Sequence, residues 1–348
     1  MRLFRGRLRF LATALLSVLV VGPATGATER PRLGADATTR RLPPTIPDTQ
    51  AVPPTAVLGI VSGGLSGTYI RIATDIAAVF ATNVPTMRIL PIVGKGSLQN
   101  MSDIINIRDV DIGIVQSDVL AFLRRDPSLA GVVNNISYLA KLYDEEVHVL
   151  ARSEIGGIAD LTGKRVGVDA RGSGTALTAS VIFDALGIRP VFTNDDPETA
   201  LAQLKRGEID ALVYVTGKPA RLFVDAGGGT LHLLALPLDQ SLLQTYLPAR
   251  FSHSDYPGLV PEGATVDTVA VGAVMAVYNW QPGTERYARL ARFVDAFFDN
   301  LPALQVPARH PKWKQVSLTA QVPGWIRFRE AQAWLALHGA SGPSPAAR

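Results

Sequence analysis

Residues 57–76 read VLGIVSGGLSGTYIRIATDI, a stretch that passes from apolar residues through glycines and hydroxyls to a helical pattern. The apolar part, Val57–Ser62, predicts a short strand, and Gly63–Thr68 predicts the turn that follows it. Apolar residues then recur at helical spacing as far as Phe80. Glycine lets the backbone turn tightly. The stretch therefore predicts a strand–turn–helix unit, the building block of an α/β fold.

The same pattern recurs along the chain. Further strands are predicted at Met87–Val93, Ile112–Val115, Arg165–Asp169 and Ala211–Val215, and further helices at Leu98–Ile105, Val119–Leu123, Ala176–Leu186, Glu198–Arg206, Glu285–Asn300 and Phe328–Leu337. Strands that alternate with helices imply parallel β-α-β units whose sheet is covered on both faces. The fold class predicted from this pattern is α/β.

Two further apolar strands, Val147–Ala151 and Val269–Tyr278, fit neither half of the chain alone. We interpret them as hinge strands between two α/β lobes with a ligand cleft between them. Lobe 1 then comprises residues 55–147 and 276–340, and lobe 2 comprises residues 148–275. Each lobe has an ordinary domain size. The alternative is one continuous doubly wound sheet.

The N-terminus has the features of a secretory signal peptide, which we place at residues 1–27. A basic start is followed by 12 apolar residues, 10–21, and by small residues up to Ala27. That order is typical of export signals, and the apolar run is shorter than the roughly 20 residues that cross a bilayer. The alternative is an uncleaved anchor. Residues 28–54 are rich in proline and predict an extended linker. The predicted location is the periplasm.

The net charge of +4 belongs to this signal. Without its four arginines the chain has 30 basic and 30 acidic residues, so nothing favours nucleic-acid binding. The chain has no cysteine, which excludes disulfides, thiolate metal ligands and thiol catalysis.

Similar polar turns follow the predicted strands in both halves. They are Gly63–Thr68, Gly94–Ser97, Gln116–Ser117, Gly172–Thr175 and Thr216–Lys218. Ligands of open α/β sheets bind beyond the carboxyl ends of the strands, and the N–H groups at a helix start favour anions. Each hydroxyl in these turns can equally be a helix cap. Taken together, the five turns predict a site for a small anion.

Other classes of function find little support. The first turn lacks the lysine spacing of a phosphate loop, and neither Ser66 nor Ser173 lies in a GxSxG motif. The five histidines are scattered and form no metal motif. We therefore predict no catalytic residue, no metal and no cofactor.

At these turns the sequence resembles the TAXI-type solute-binding subunits of tripartite ATP-independent periplasmic (TRAP) transporters. The resemblance runs from about Val57 to Phe298. It is carried, in order, by Gly63–Tyr69, Gly96–Asn100, Asp111–Asp118, Leu161–Val166, Gly172–Thr175 and Gly207–Ala211. It implies a type II periplasmic-binding fold that closes on its ligand. It also implies transporter membrane subunits as partners, and ligands such as glutamate, 2-oxoglutarate or a related dicarboxylate. We expect a monomer.

Transferred position by position, the resemblance and its flanking residues give the predicted ligand-binding set. These residues are Ser66, Gly67, Thr68, Tyr69, Ser97, Asn100, Gln116, Ser117, Arg171, Ser173, Gly174, Thr175 and Thr216. The chain departs from the family pattern at Lys95 and in the turn that contains Lys218. With Arg171, three cations would approach the cleft or lie on its solvated rim. The alternative functions are a binding module that presents its ligand to a sensor, and a secreted enzyme on the same scaffold.

Overall fold

The computed structural model describes residues 56–124, 130–224, 226 and 229–339. The predicted signal peptide and linker, residues 1–54, lie outside the described residues. Within the described ranges, every helix is too short or too polar to cross a membrane.

Ten strands of the described chain form one mixed sheet. They are β1 (Ala56–Val61), β2 (Met87–Ile92), β3 (Val110–Gln116), β4 (Ile136–Arg152), β5 (Arg165–Gly167), β6 (Val191–Thr193), β7 (Ala211–Thr216), β8 (Leu231–Leu233), β9 (Leu247–Ser252) and β10 (Thr265–Tyr278). Their order is β2-β1-β3-β10-β4-β7-β5-β6, with β8 beside β4 and β9 beside β10.

The sheet contains one arrangement twice. In the first half, β1 pairs in parallel with β2 and β3, and β10 runs antiparallel beside β3. In the second half, β5 pairs in parallel with β6 and β7, and β4 runs antiparallel beside β7. β4 and β10 pair with each other in the middle. The predicted α/β class is confirmed. The lobe boundaries stay a prediction, because hydrogen bonds continue across the middle of the sheet.

Helices connect the strands. They are α1 (Thr68–Asn83), α2 (Ser97–Asn106), α3 (Asp118–Leu123), α4 (Ala130–Val133), α5 (Gly174–Ala185), α6 (Pro197–Arg206), α7 (Arg221–Val224), α8 (Gln240–Leu243), α9 (Glu285–Asp299), α10 (Leu301–Leu304) and α11 (Arg329–Leu337). Short 3₁₀ helices lie at Ile158–Leu161 and Pro311–Gln315. In α1, Ile72, Ile76 and Phe80 are fully buried at the spacing of one helix face, which explains why this segment is a helix against the sheet.

Each half of the sheet has apolar clusters of its own. In the first half, α9 returns to pack on α1, and the rings of Phe80 and Phe293 stack with centroids 5.3 Å apart. In the second half, Val166 and Phe183 belong to one cluster, while Phe223 lies in another. These cores hold the ends of β1, β3, β5 and β7 in place, where the polar turns begin.

One long strand differs from its prediction. The strand predicted at Val147–Ala151 is only the last part of β4, which starts at Ile136. The earlier part contains Lys141 and the run Asp144–Glu146, whose charges interrupt the apolar pattern. Glu145 and Glu146 are nevertheless buried, because distant residues supply their partners. The predicted strand Arg165–Asp169 is also too long, since β5 ends at Gly167.

Candidate ligand-binding cleft

A small cavity lies where the turns of both halves meet, beyond the carboxyl ends of β1, β3 and β7. We call it the cleft cavity. Its lining residues are Gly63, Gly64, Gly67, Thr68, Tyr69, Lys95, Gly96, Gln116, Glu145, Asp169, Gly174, Thr175, Tyr214, Val215 and Thr216. Its volume is about 50 Å³, room for one or two water molecules. The position agrees with the rule that α/β ligand sites lie at the carboxyl ends of strands.

The start of α1 brings two predicted residues into the cleft cavity. Thr68 and Tyr69 are both buried there. The hydroxyl of Thr68 lies 3.1 Å from that of Thr216, at the end of β7. The contact joins the first half of the sheet to the second across the cavity.

Tyr69 has a partner that the sequence reasoning missed. Its hydroxyl donates to Oε2 of Glu145, at 2.5 Å, and both side chains are buried. Burial raises the pKa of Glu145 to about 8, against the opposing effects of the Tyr69 hydrogen bond and of Lys312. Burial, together with the nearby Glu145 charge, also raises the pKa of Tyr69 well above its usual value. At neutral pH the protonated form of Glu145 therefore predominates.

The start of α5 supplies the second wall. Ser173 caps the helix, because its hydroxyl oxygen accepts from the N–H of Ala176 at 3.1 Å. The hydroxyl oxygen of Thr175 accepts from the N–H of Val215 at 3.1 Å, which fixes α5 to β7. A side chain on Gly174 would clash, since an added Cβ would lie 2.2 Å from Oε1 of Gln116. Glycine at this position allows the two walls to approach closely.

Ser97, Asn100 and Gln116 form a buried network on the first wall. The N–H of Gln116 donates to the Ser97 hydroxyl at 2.9 Å. Nδ2 of Asn100 donates to the carbonyls of Ser62 at 2.8 Å and Ile114 at 2.7 Å, so this amide braces the ends of β1 and β3. In this arrangement Ser97 and Asn100 support the wall, whereas Gln116 lines the cavity.

A second contact between the walls lies behind Gln116. Oδ2 of Asp118, in α3, accepts from the hydroxyls of Thr178 at 2.7 Å and Tyr246 at 3.1 Å. Burial raises the pKa of Asp118 to about 6, although these hydroxyls oppose the shift. Asp118 thus joins α3 to α5 through a buried carboxyl group.

Ser97, Asn100 and Ser173, described above, do not line the cleft cavity. Three more residues of the predicted set lie outside its lining. Ser66 interacts with the Tyr214 hydroxyl from the turn before α1. The N–H of Ser117 donates to the carbonyl of Gly272 at 2.7 Å, which fixes its backbone to β10. Arg171 lines a separate cavity, described below.

The three predicted cations have different positions. Lys95 lines the cleft cavity. Nζ of Lys218 lies 3.0 Å from Asp255 and donates to the Arg250 carbonyl, so it belongs to a partly buried ion pair. With Arg171 in the other cavity, Lys95 is the cation among the lining residues of the cleft.

Asp169 and Tyr214 are further lining residues that the sequence reasoning missed. Burial raises the pKa of Asp169 to about 6, against the Ala170 N–H, which donates to its carboxylate. Burial also raises the pKa of Tyr214 to about 12. Asp169 was predicted as the last residue of a strand, and the available signal was this position at a strand end, shortly before the polar turn Gly172–Thr175.

The described residues include no cluster of histidine, aspartate and glutamate that could hold a metal. His148 is buried away from the cavity, stacked on Phe251 at 4.4 Å and hydrogen-bonded to Tyr256 at 2.6 Å. Burial lowers its pKa to about 3, so it stays neutral. These contacts explain His148 as a packing residue.

Solved structures resemble the chain over most of its length at low identity. MatC of Rhodopseudomonas palustris, with bound malate, is 15% identical, with 78% of this chain and 91% of that one covered, at a TM-score of 0.49. Rpa4515 of R. palustris, with adipate, is 15% identical, with 82% of this chain and 94% of that one covered, at a TM-score of 0.46. The periplasmic binding protein BugD is 13% identical, with 75% of this chain and 87% of that one covered, at a TM-score of 0.48. Such remote similarity does not indicate what this chain binds.

The strand order of the two halves, with the cleft between their polar turns, defines the class. The protein is a mixed α/β protein with the type II periplasmic-binding fold. Within that class, the model of the NMT1-like family matches residues 60–325, more than half of the chain. The chain therefore belongs to the NMT1-like family.

Proposed function

We propose that the protein is an extracytoplasmic solute-binding protein that captures a small carboxylate in the cleft cavity. One observation carries the proposal: the N-terminal ends of three helices line a single cavity. Gly67 precedes α1 and Thr68 begins it, Gly96 precedes α2, and Gly174 and Thr175 begin α5. Helix starts present free N–H groups and a partial positive charge, which favour an anion.

The cavity has walls from both halves of the sheet, as a site that closes around its ligand requires. Thr68 and Gln116 come from the first half, and Thr175 and Thr216 come from the second. At about 50 Å³, the cavity is far below the roughly 300–1,000 Å³ of ordinary ligand pockets. A dicarboxylate enters only if the two walls separate. We propose that they do so by bending within β4 and β10, the hinge predicted from the sequence.

Glutamate, 2-oxoglutarate or a related dicarboxylate is the proposed ligand, with a TRAP-type transporter as its destination. Two features support this proposal. The polar turns that carry the family resemblance contribute residues to one cavity, and the N-terminus has a predicted signal peptide. Glu145 and Asp169 also line the cavity, and both have raised pKa values. At neutral pH the protonated carboxyl group of Glu145 can donate a hydrogen bond to a bound carboxylate, whereas Asp169, with a pKa of about 6, does so only at lower pH. An enzymatic role has no support in the lining residues, which include neither histidine nor a serine nucleophile.

A thermal-shift screen of the purified protein tests binding. The panel contains dicarboxylates, amino acids, monocarboxylates and phosphate esters. A ligand at 100 times its dissociation constant stabilises the fold by about 2.7 kcal/mol. Thr68→Val and Thr216→Val, which remove the paired hydroxyls, should weaken the response to the best carboxylate. Thr74→Val is the matched control, because Thr74 lies on the exposed face of α1 and its hydroxyl donates to the Ile70 carbonyl within the same helix. The absence of any response to anions would contradict the proposal.

Delivery needs a separate test. Vesicles that contain TRAP membrane subunits should take up labelled ligand faster when the wild-type protein is added, and Thr68→Val should stimulate less. A protein that binds carboxylate without stimulating uptake would contradict the transport role and leave binding intact. That outcome would favour a sensor as the partner.

A further inference from the structure

A second and larger cavity lies beside the start of α5, on the other side of the 171–173 turn. We call it the outer cavity. It is lined by Leu98, Phe122, Val168, Arg171, Gly172, Ala176, Leu177, Ser180, Phe192 and Asn194. Its volume is about 540 Å³, within the range of about 300–1,000 Å³ that is typical of small-molecule sites. None of these residues lines the cleft cavity.

The wall of the outer cavity is mainly apolar. The apolar lining residues are Leu98, Phe122, Val168, Ala176, Leu177 and Phe192. Phe192 packs on the buried ring of Phe183, with centroids 5.8 Å apart, and keeps 37% of its surface exposed. A partly exposed aromatic ring held in place by a buried one gives an apolar ligand a rigid surface to cover.

Two of the polar lining residues of the outer cavity are hydrogen-bonded within the protein, whereas the charged one, Arg171, is available to a ligand. Oγ of Ser180 donates to the Leu177 carbonyl at 2.7 Å, and Nδ2 of Asn194 donates to the Asp169 carbonyl at 2.9 Å. Arg171 is the only charged residue of the lining, and among the described residues it has no ion pair or side-chain hydrogen bond. Its guanidinium is suited to a carboxylate, which it binds through two parallel hydrogen bonds.

Both halves of the sheet contribute to this cavity. Leu98 lies in α2 and Phe122 in α3, whereas Arg171 and Phe192 belong to the second half. The N–H of Gln99 donates to the Gly172 carbonyl at 3.2 Å, so the two halves touch beside it. A ligand here contacts both halves in their present arrangement.

We propose that the outer cavity is a second binding site, for an amphipathic monocarboxylate whose apolar chain or ring lies against Phe192 and Phe122 and whose carboxylate binds Arg171. The site differs from the cleft cavity in the kind of ligand it takes. The cleft cavity is lined by hydroxyls, helix starts and acids, whereas the outer cavity combines one cation with an apolar wall. A ligand bound there favours the arrangement in which the halves are together.

Matched probes of opposite charge test the proposal. Binding of octanoate and of octylammonium to the purified protein is measured by titration calorimetry. We expect saturable octanoate binding with one site per chain, and octylammonium binding at least tenfold weaker. Each methylene removed between octanoate and butyrate should lower the affinity by roughly fourfold. Equal affinity for the two charges, or no saturable octanoate binding, would overturn the proposal.

Three variants locate the site. Arg171→Gln should weaken octanoate binding by about 10- to 100-fold, the loss expected for a charged hydrogen bond. Arg171→Glu should reverse the charge preference, and Ala176→Phe should fill the cavity and abolish binding. Arg88→Gln, an exposed arginine on β2, is the matched control. Melting curves report whether each variant is folded. Octanoate binding that is unchanged in folded Arg171→Gln would overturn the proposed site.

Discussion

The side chain of Glu145 is hydrogen-bonded to Tyr69 in the cleft. The Tyr69 hydroxyl donates to Oε2 of its carboxyl group, and burial raises the Glu145 pKa from 4.5 to about 8. A carboxyl group whose pKa is higher in the folded protein than in the unfolded chain binds more protons when folded. The free energy of unfolding therefore falls as the pH rises between those two values.

Glu145→Gln should remove part of this pH dependence. We expect the variant to gain stability relative to wild type as the pH rises from 5 to 9, with an upper limit of a few kcal/mol, since one unit of pKa shift corresponds to about 1.4 kcal/mol. Urea unfolding at pH 5, 7 and 9 measures the difference. Glu262→Gln, at an exposed position, is the control. A constant difference between Glu145→Gln and wild type at all three pH values would contradict the shifted pKa.

Gly174 tests how closely the two walls must approach. An added Cβ would lie 2.2 Å from Oε1 of Gln116, so Gly174→Ala should destabilise the closed arrangement by about 1–3 kcal/mol, the usual cost of overpacking. Scattering should show a larger radius of gyration with carboxylate present than for wild type. Gly64→Ala is the control within the same cavity, because its added Cβ meets nothing within 4 Å. If both variants close equally, the clash does not limit closure.

At the scale of elements, the 3₁₀ helix Pro311–Gln315 fastens the middle of the sheet. Nζ of Lys312 lies 2.8 Å from Oε1 of Glu146, on β4, and donates to the Asp144 carbonyl at 2.6 Å. The other oxygen of Glu146 accepts from the N–H of Lys218, after β7. Nε1 of Trp313 donates to Asp75, on α1. This short 3₁₀ helix thus contacts both the long strand β4 and the helix α1.

Lys312→Met should be strongly destabilising. It would leave Glu146 buried without its cation, a change that costs about 3–5 kcal/mol in buried pairs. The double variant Lys312→Met with Glu146→Gln should recover part of the loss, because the uncompensated charge is gone. Urea unfolding measures all three proteins. Lys314→Met, an exposed change in the same 3₁₀ helix, is the control. Equal stability of Lys312→Met and the control would show that the pair contributes little.

The elements that depend on local pattern could be predicted from the sequence. The strand–turn–helix units at Val57–Phe80 and Arg165–Leu186 have apolar periodicity and glycine turns close together in the chain. The first part of β4 could not be predicted, because Glu145 and Glu146 look exposed in the sequence. Their partners Tyr69 and Lys312 lie 76 and 166 residues away.

The candidate site shows the same limit. The polar turns identified Thr68, Thr175 and Thr216, which the structure brings to one cavity. Position in the turn did not reveal where each side chain points: Ser97 and Asn100 support the wall instead of lining the cavity, and Arg171 lines a different cavity. Which of these residues bind a ligand stays a prediction.

For the molecule as a whole, the buried carboxyls predict a link between pH and closure. Burial between the walls raises the pKa of Asp118 to about 6, and Asp169 and Glu145 line the cleft with raised pKa values. Lys95 is the cation among the lining residues, and the hydroxyls of Thr178 and Tyr246 face Asp118. If separation of the walls returns these acids to water, the closed form binds more protons, and a lower pH favours it.

Scattering of the protein without ligand checks this link. The radius of gyration should be smaller at pH 5 than at pH 9, and Asp118→Asn should reduce the difference. Asp184→Asn, an exposed change on α5, should leave it as in wild type. A radius of gyration that is constant across this pH range would contradict the link.

The position of β10 has a consequence for how the chain assembles as it is made. β10 lies between β3 and β4, and α9, which follows it, covers α1. A chain that emerges from its N-terminus presents β3 and β4 long before residue 265 arrives to pair with both. Until then two strand edges have free hydrogen-bonding groups, which are prone to pair with other chains. This central strand is the last of the ten strands to be synthesised, so a chain that terminates before β10 leaves β3 and β4 without the strand that joins them.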